Sequence, residues 1–233
     1  MGKMKRNIIS LFVMLSAAGL AGENVISNVR ENVVNIQDSG SSVNSGISLG
    51  DKSSESGMIK GNGERASVKR EIASFDSISV SGAFIVNIEI TSGTKMELEI
   101  TSDSNIADCI GTDVENGILT ISTSKSYSSE NPVSFNIKLS SLKNIACGGA
   151  CKVTISGKTE NLSVELRGAS KLSALGLDAA NLVIEAGGAS HAEVSASKSL
   201  TVNGSGAAKV LYKGTASKIT KELSGASSLV NME

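Results

Sequence analysis

Leu162-Ser163-Val164-Glu165-Leu166-Arg167-Gly168-Ala169-Ser170-Lys171-Leu172-Ser173-Ala174 is the stretch that decides the fold of this chain. Apolar and polar residues alternate on both sides of a Gly-Ala step, which is how two half-buried strands meeting at a corner read. The step returns at Gly149-Ala150, Gly188-Ala189, Gly206-Ala207 and Gly225-Ala226, so successive corner glycines lie 19, 20, 18 and 19 residues apart. A fixed period near twenty, with no helical spacing inside it, predicts stacked β repeats. The expected fold is all-β: a right-handed parallel β-helix, or β-solenoid, with coils of about 19 residues in the C-terminal half and a less regular N-terminal half.

Each repeat supports this reading. The residues six, four and two places before the glycine are Leu162, Val164 and Leu166, then Leu182, Ile184 and Ala186, then Leu200, Val202 and Gly204. After the corner, Val153 and Ile155, Leu172 and Ala174, Ala192 and Val194, and Val210 and Tyr212 take the same inward parity. The structural corners are Gly149, Gly168, Gly188, Gly206 and Gly225, because glycine alone turns a chain through positive φ at no steric cost. Two places on, Cys151, Ser170, Ser190, Ala208 and Ser227 stay small enough for the inside of a tight bend. No single repeat can bury its own apolar face, so stability must come from stacking.

The 233 residues include 24 Gly, one Pro, no Trp and 3% aromatics, which predicts a narrow aliphatic core and few platforms for stacking sugars. Lys3, Lys5 and Arg6 precede an apolar run from Ile8 to Leu20, the pattern of a secretory signal peptide over residues 1–21, with cleavage expected after Ala21. Leu20-Ala21-Gly22 resembles the start of a lipoprotein box, but Glu23 stands where the lipidated cysteine would be, so a soluble exported product is expected. Losing Lys3, Lys5 and Arg6 leaves 19 bases against 23 acids, a balance that gives no reason to expect nucleic acid as a partner. Residues 22–60 read as a Ser/Gly-rich tether. Residues 61–144 read as an irregular β half with strands at Ile78–Val80, Ile85–Ile90, Met96–Ile100, Ile118–Ile121 and Phe135–Leu139, and with a turn at Asn116-Gly117. Residues 145–231 hold the regular repeats.

Several of these stretches resemble one family. Ser81-Gly82-Ala83, Leu166-Arg167-Gly168-Ala169-Ser170, Gly187-Gly188-Ala189-Ser190 and Leu223-Ser224-Gly225-Ala226-Ser227-Ser228 are similar to the recurrent Ser-Gly-Ala-Ser steps of the bacterial head GIN domain proteins, described as putative auto-transporter adhesins. Gly61-Asn62-Gly63 and the run Phe75-Asp76-Ser77-Ile78-Ser79-Val80-Ser81-Gly82 resemble the opening of that family. The resemblance covers residues 61 to 231. It implies a β-helical exported domain with an adhesive role, and it supplies no catalytic residues.

Candidate site residues follow from register. Three places after each corner, Lys152, Lys171, His191 and Lys209 take outward positions and are expected to form a column spaced by ~4.8 Å. Such a ladder suits anionic glycans or other polyanions; a solvated edge, offset by Glu165, Glu185 and Glu222 on the other side of the corner, is the alternative. Lys221 occupies an inward position on the last repeat and reads as an end cap against edge-to-edge pairing. Cys147 and Cys151 flank the Gly149 corner with inward parity, and form either a disulfide or two buried fillers. His191 is the lone histidine, zinc-ligand spacing is lacking, and no metal or cofactor is expected.

The function expected is an exported envelope or cell-surface binding module, non-enzymatic, offering long flat faces to a surface glycan or an extracellular or envelope protein. The alternatives are a polysaccharide-degrading β-helix enzyme, for which no convergent acid pair is visible, and a purely structural envelope protein. The periplasm, the cell surface and the medium are equally open as destinations, and the oligomeric state is left open.

Overall fold

The computed structural model describes residues 58–93 and 95–232. The expected signal peptide, and the tether up to residue 57, lie outside the described residues. The first strands are β1 (Ile59–Lys60), β2 (Arg65–Arg70), β3 (Ser77–Gly82), β4 (Ile85–Ile90) and β5 (Glu97–Asp103). A 3-10 turn at Ala107–Cys109 leads into β6 (Ile110–Glu115), followed by β7 (Ile118–Thr123), β8 (Tyr127–Ser128), β9 (Ser134–Leu139) and β10 (Asn144–Gly149). The repeats supply β11 (Lys152–Leu166), β12 (Lys171–Ala186), β13 (His191–Gly204), β14 (Lys209–Lys213), β15 (Lys218–Leu223) and β16 (Ser228–Asn231).

The pairing corrects the expected fold. The chain does not form a right-handed parallel β-helix: fourteen strands make one curled, open sheet, a half-barrel in which parallel and antiparallel pairs mix. β2 runs antiparallel to β5, β5 antiparallel to β9, and β6 antiparallel to β7. The physical reason is that alternation records which face a residue takes and nothing about strand direction, so a hairpin and a coil read alike. Asn116-Gly117 closes the β6–β7 hairpin with φ of 51° and 77°, the pair of positive values that a two-residue turn requires.

The repeat period has its origin in the parallel part of this sheet. Leu162 pairs with Leu182, Leu182 with Leu200, and Leu200 with Ile219, so one repeat of sequence advances the chain by one strand. The Gly82 corner belongs to the same stack: β3 and β10 pair in parallel with Gly82 opposite Gly149, although 67 residues separate them. Beyond it β7 pairs with β3 and β9 with β4, and the antiparallel strands complete that end. Arg70 ties them together, donating to the carbonyls of Ile110 at 2.7 Å and Ala107 at 3.0 Å and to the Thr112 hydroxyl at 2.7 Å.

The inward residues form one continuous aliphatic core, from Ile78, Val86 and Ile137 through Val164 and Leu172 to Leu200 and Val210. Burial of each such side chain contributes roughly 1.5–3 kcal/mol. Phe84 and Phe135 are fully buried and meet edge to face at 5.3 Å and 84°, and Phe75 is buried as well, so all three are core residues. At the far end the core runs out. β15 is exposed along its whole length, and Ile219 and Leu223 have no further strand over them.

Candidate functional site

Each of Lys152, Lys171, His191 and Lys209 is the first residue of the strand that leaves a corner, and that position sets the column. Lys152 pairs with Lys171, Lys171 with His191, His191 with Lys209, and Lys209 with Ser228. The backbone locks the register: the amides of Lys171, His191 and Lys209 donate to the carbonyls of Cys151, Ser170 and Ser190 at 2.8, 2.9 and 2.9 Å. Neighbouring members are therefore one strand spacing apart, ~4.8 Å at the backbone. Lys152, Lys171 and Lys209 are exposed, and among the described residues none of them has an ion-pair partner. His191 is half-buried and its ring meets Glu193 at 3.1 Å.

The acidic residues that were expected to offset this column stand on the other side of the corner. Glu165 pairs in register with Glu185, Glu185 with Asn203, and Asn203 with Glu222. Glu165 forms its ion pair with Arg167, and these residues line a shallow groove of about 530 Å³. Two nearby surface pairs are Lys158 with Asp178 at 3.2 Å and Lys198 with Glu160 at 2.8 Å. The lysine column is open to solvent, with Lys152 and Lys171 on adjacent strands and His191 standing between Lys171 and Lys209.

The corners between the two columns are built from backbone. Gly149, Gly168, Gly188, Gly206 and Gly225 have φ between 68° and 90° and stack carbonyl upon glycine. A Cβ at any of the five would lie 2.5–2.9 Å from the carbonyl oxygen of the corner glycine before it. Inside the bend, the Ser170 hydroxyl donates to the Arg167 carbonyl at 2.6 Å and that of Ser227 to Ser224 at 2.8 Å. Cys147 and Cys151 lie buried on either side of Gly149 as free thiols. Lys221 is exposed on the last repeat, in register with buried Val202.

Residues 74–155 and 147–216 match the family described as putative auto-transporter adhesin, head GIN domain. The chain belongs to that family. The solved structures it resembles are distant from it in sequence. A putative adhesin from Bacteroides fragilis NCTC 9343 shares 17% identity at a TM-score of 0.51, over 75% of this chain and 100% of that one. A putative lipid binding protein from Parabacteroides distasonis ATCC 8503 shares 18% identity at a TM-score of 0.42, over 76% and 100%. A putative adhesin from Parabacteroides merdae ATCC 43184 shares 15% identity at 0.40, over 76% and 99%. No curated protein matches the chain in sequence. At such identities the first of these likenesses speaks for the fold alone. No helix among the described residues is long and apolar enough to cross a membrane.

One polar arrangement in the head GIN fold left no readable signal in the sequence. Asp103, at the end of β5, is 1% exposed. Its carboxylate accepts from the Ser129 hydroxyl at 2.7 Å and the Asn131 amide at 3.0 Å. The Ser129 bond above all, then that of Asn131, holds the carboxyl below its ordinary range. Beside it, Asn62 donates to Ser104 at 2.8 Å and Asn105 donates to the Lys60 carbonyl at 2.8 Å. Gly61 passes so close that a Cβ there would collide with the Asp103 carboxylate. The cluster fastens the Gly61-Asn62-Gly63 segment and the β8 loop to β5.

Proposed function

We propose that this protein is an exported binding module of the bacterial envelope, and that the Lys152, Lys171 and Lys209 column engages an anionic surface polymer. The family supports an adhesive role. The finer reading rests on one observation: three exposed lysines share one strand register, and none of them has an ion-pair partner among the described residues. A row of charge on a rigid sheet needs no ordering on binding, so an extended polyanion meets a preformed and repeating partner.

The test is binding of the full chain to an array of sulfated, carboxylated and neutral glycans and of matrix proteins, beside a Lys152/Lys171/Lys209→Ser variant. Saturable, salt-sensitive binding to anionic glycans that the variant loses supports the proposal. Binding that the variant keeps removes the column and leaves the adhesive role. Silence over the whole array favours a structural envelope protein instead.

A further inference from the structure

The pair of cysteines at the Gly149 corner has a chemistry that adhesion does not use. Cys147 is in β10, which pairs with β3 on one side and β11 on the other, and Cys151 sits between β10 and β11. Gly149, at φ 90°, turns the chain so that both side chains enter the same part of the core, at 2% and 1% exposure. Ser170 joins the two residues: its hydroxyl lies 3.5 Å from the Cys151 sulfur and 3.4 Å from the Cys147 carbonyl oxygen, which accepts from it.

The backbone around the pair is held from outside. The Cys147 carbonyl accepts from the Arg167 amide at 2.8 Å and the Cys151 carbonyl from the Lys171 amide at 2.8 Å. The backbone on both sides of the corner is therefore held by the next repeat. Cys109 is apart from them in sequence and element, at the end of the 3-10 turn before β6, where its carbonyl accepts from Ser124 at 2.8 Å. The corner thus builds a dithiol, with the third thiol on a different element.

We propose that Cys147 and Cys151 form an intrachain disulfide by exchange with a disulfide oxidant, covalently closing the corner that joins the irregular end of the sheet to its repeats. The exchange is written with Cys151 attacking first; the reverse order gives the same product. The Cys151 thiolate attacks one sulfur of the oxidant, whose S–S bond breaks and releases one thiolate. Cys147 then loses its proton and attacks the Cys151 sulfur of the mixed disulfide, expelling the second thiolate. Two protein thiols are oxidised and one external disulfide is reduced to two thiols. Because both sulfurs are buried, exchange proceeds while the corner is open, during folding or a local opening.

The probe is glutathione, at a series of reduced-to-oxidised ratios, applied to the full chain as it refolds. Samples are blocked with N-ethylmaleimide in denaturant and digested with trypsin without reduction. Cleavage after Lys143 and Lys152 leaves both cysteines in one peptide, Asn144–Lys152. The expected result is that this peptide loses two hydrogens and takes no label. Its equilibrium constant against glutathione should exceed that of the isolated peptide by about tenfold or more, a difference of roughly 30 mV. Full labelling at every ratio, a bridge to Cys109, or a constant equal to that of the isolated peptide each overturns the proposal. A Cys109→Ser chain, followed through the same digest and by circular dichroism, must keep the two-hydrogen loss in the folded fraction. None of these outcomes depends on ligand binding.

Discussion

Replacing Gly168 by alanine tests the stacked corner directly, and two other glycines separate the causes of the damage. Gly168 has φ 73°, and an added Cβ would lie 2.5 Å from the Gly149 carbonyl oxygen. Holding a side chain in the left-handed region costs about 1–2 kcal/mol. The carbonyl is not free to yield, because it accepts from the Ala169 amide at 2.8 Å. Moving it by nearly an ångström loosens that bond and strands a polar group, a further ~1–3 kcal/mol. A reduction in unfolded-state entropy returns roughly 0.4–1 kcal/mol, so the net loss should be about 3 kcal/mol. Gly63 has φ 78° with nothing within 4 Å of its Cβ, so Gly63→Ala should show the backbone cost alone, about 1 kcal/mol. Gly187 has no such φ, and its Cβ would lie 3.4 Å from the movable Ser205 hydroxyl, so Gly187→Ala should be within ~0.5 kcal/mol of the parent. Urea unfolding followed by far-ultraviolet circular dichroism, with the slope checked for constancy, gives all three values. If Gly168→Ala costs no more than Gly63→Ala, the carbonyl contact is being absorbed and the reasoning about the stack is wrong.

Two further outcomes follow from the same structure. Asp103 has its folded carboxyl pKa held below the unfolded value, so its contribution is complete above the ordinary carboxylate range and disappears as pH falls through the folded value. Asp103→Asn should therefore be less stable than the parent at neutral pH, with the gap closing in acid; parallel stability profiles from pH 7 downward would refute this. Lys221 lies in register with Val202 between Ile219 and Leu223 on the open strand, so Lys221→Val should leave an uninterrupted apolar edge and promote association. Sedimentation velocity over a range of concentrations reads this out. An unchanged sedimentation coefficient for Lys221→Val, or an equal increase in a Lys221→Glu control, would show that the charge is not what protects the end.

The two columns were legible because register in a repeat is a matter of counting. Lys152, Lys171, His191 and Lys209 share an offset from their glycines, and parallel pairing converts equal offset into adjacency. Counting could not show which charges are satisfied. Glu165 and Glu185 share an offset as regular as the lysines, yet Glu165 is paired to Arg167 two residues away. Asp103 was invisible for a different reason. Its partners Ser129 and Asn131 come from a loop after three intervening strands, and neither carries a local pattern that sets it apart from solvent-facing serines and asparagines. Cys147 and Cys151 could be placed at one corner by parity, but how closely their side chains approach depends on the bend at Gly149, which parity does not describe.

Taken alone, the chain of residues determined which positions face the core, where the corners fall and how far apart they lie, since alternation and the need for glycine at positive φ are local properties. Strand direction, the number of strands in the sheet and the closing of its ends were decided only in three dimensions. The Gly82 corner stacks on Gly149 because β3 pairs with β10 and β4 with β11, while β7 and β9 take the far edges of β3 and β4. β2, β5 and β6 take antiparallel places because hydrogen-bonding edges accept either direction once the apolar face is correct. Burial is written residue by residue, whereas pairing is a choice among distant edges, and only the folded chain makes that choice.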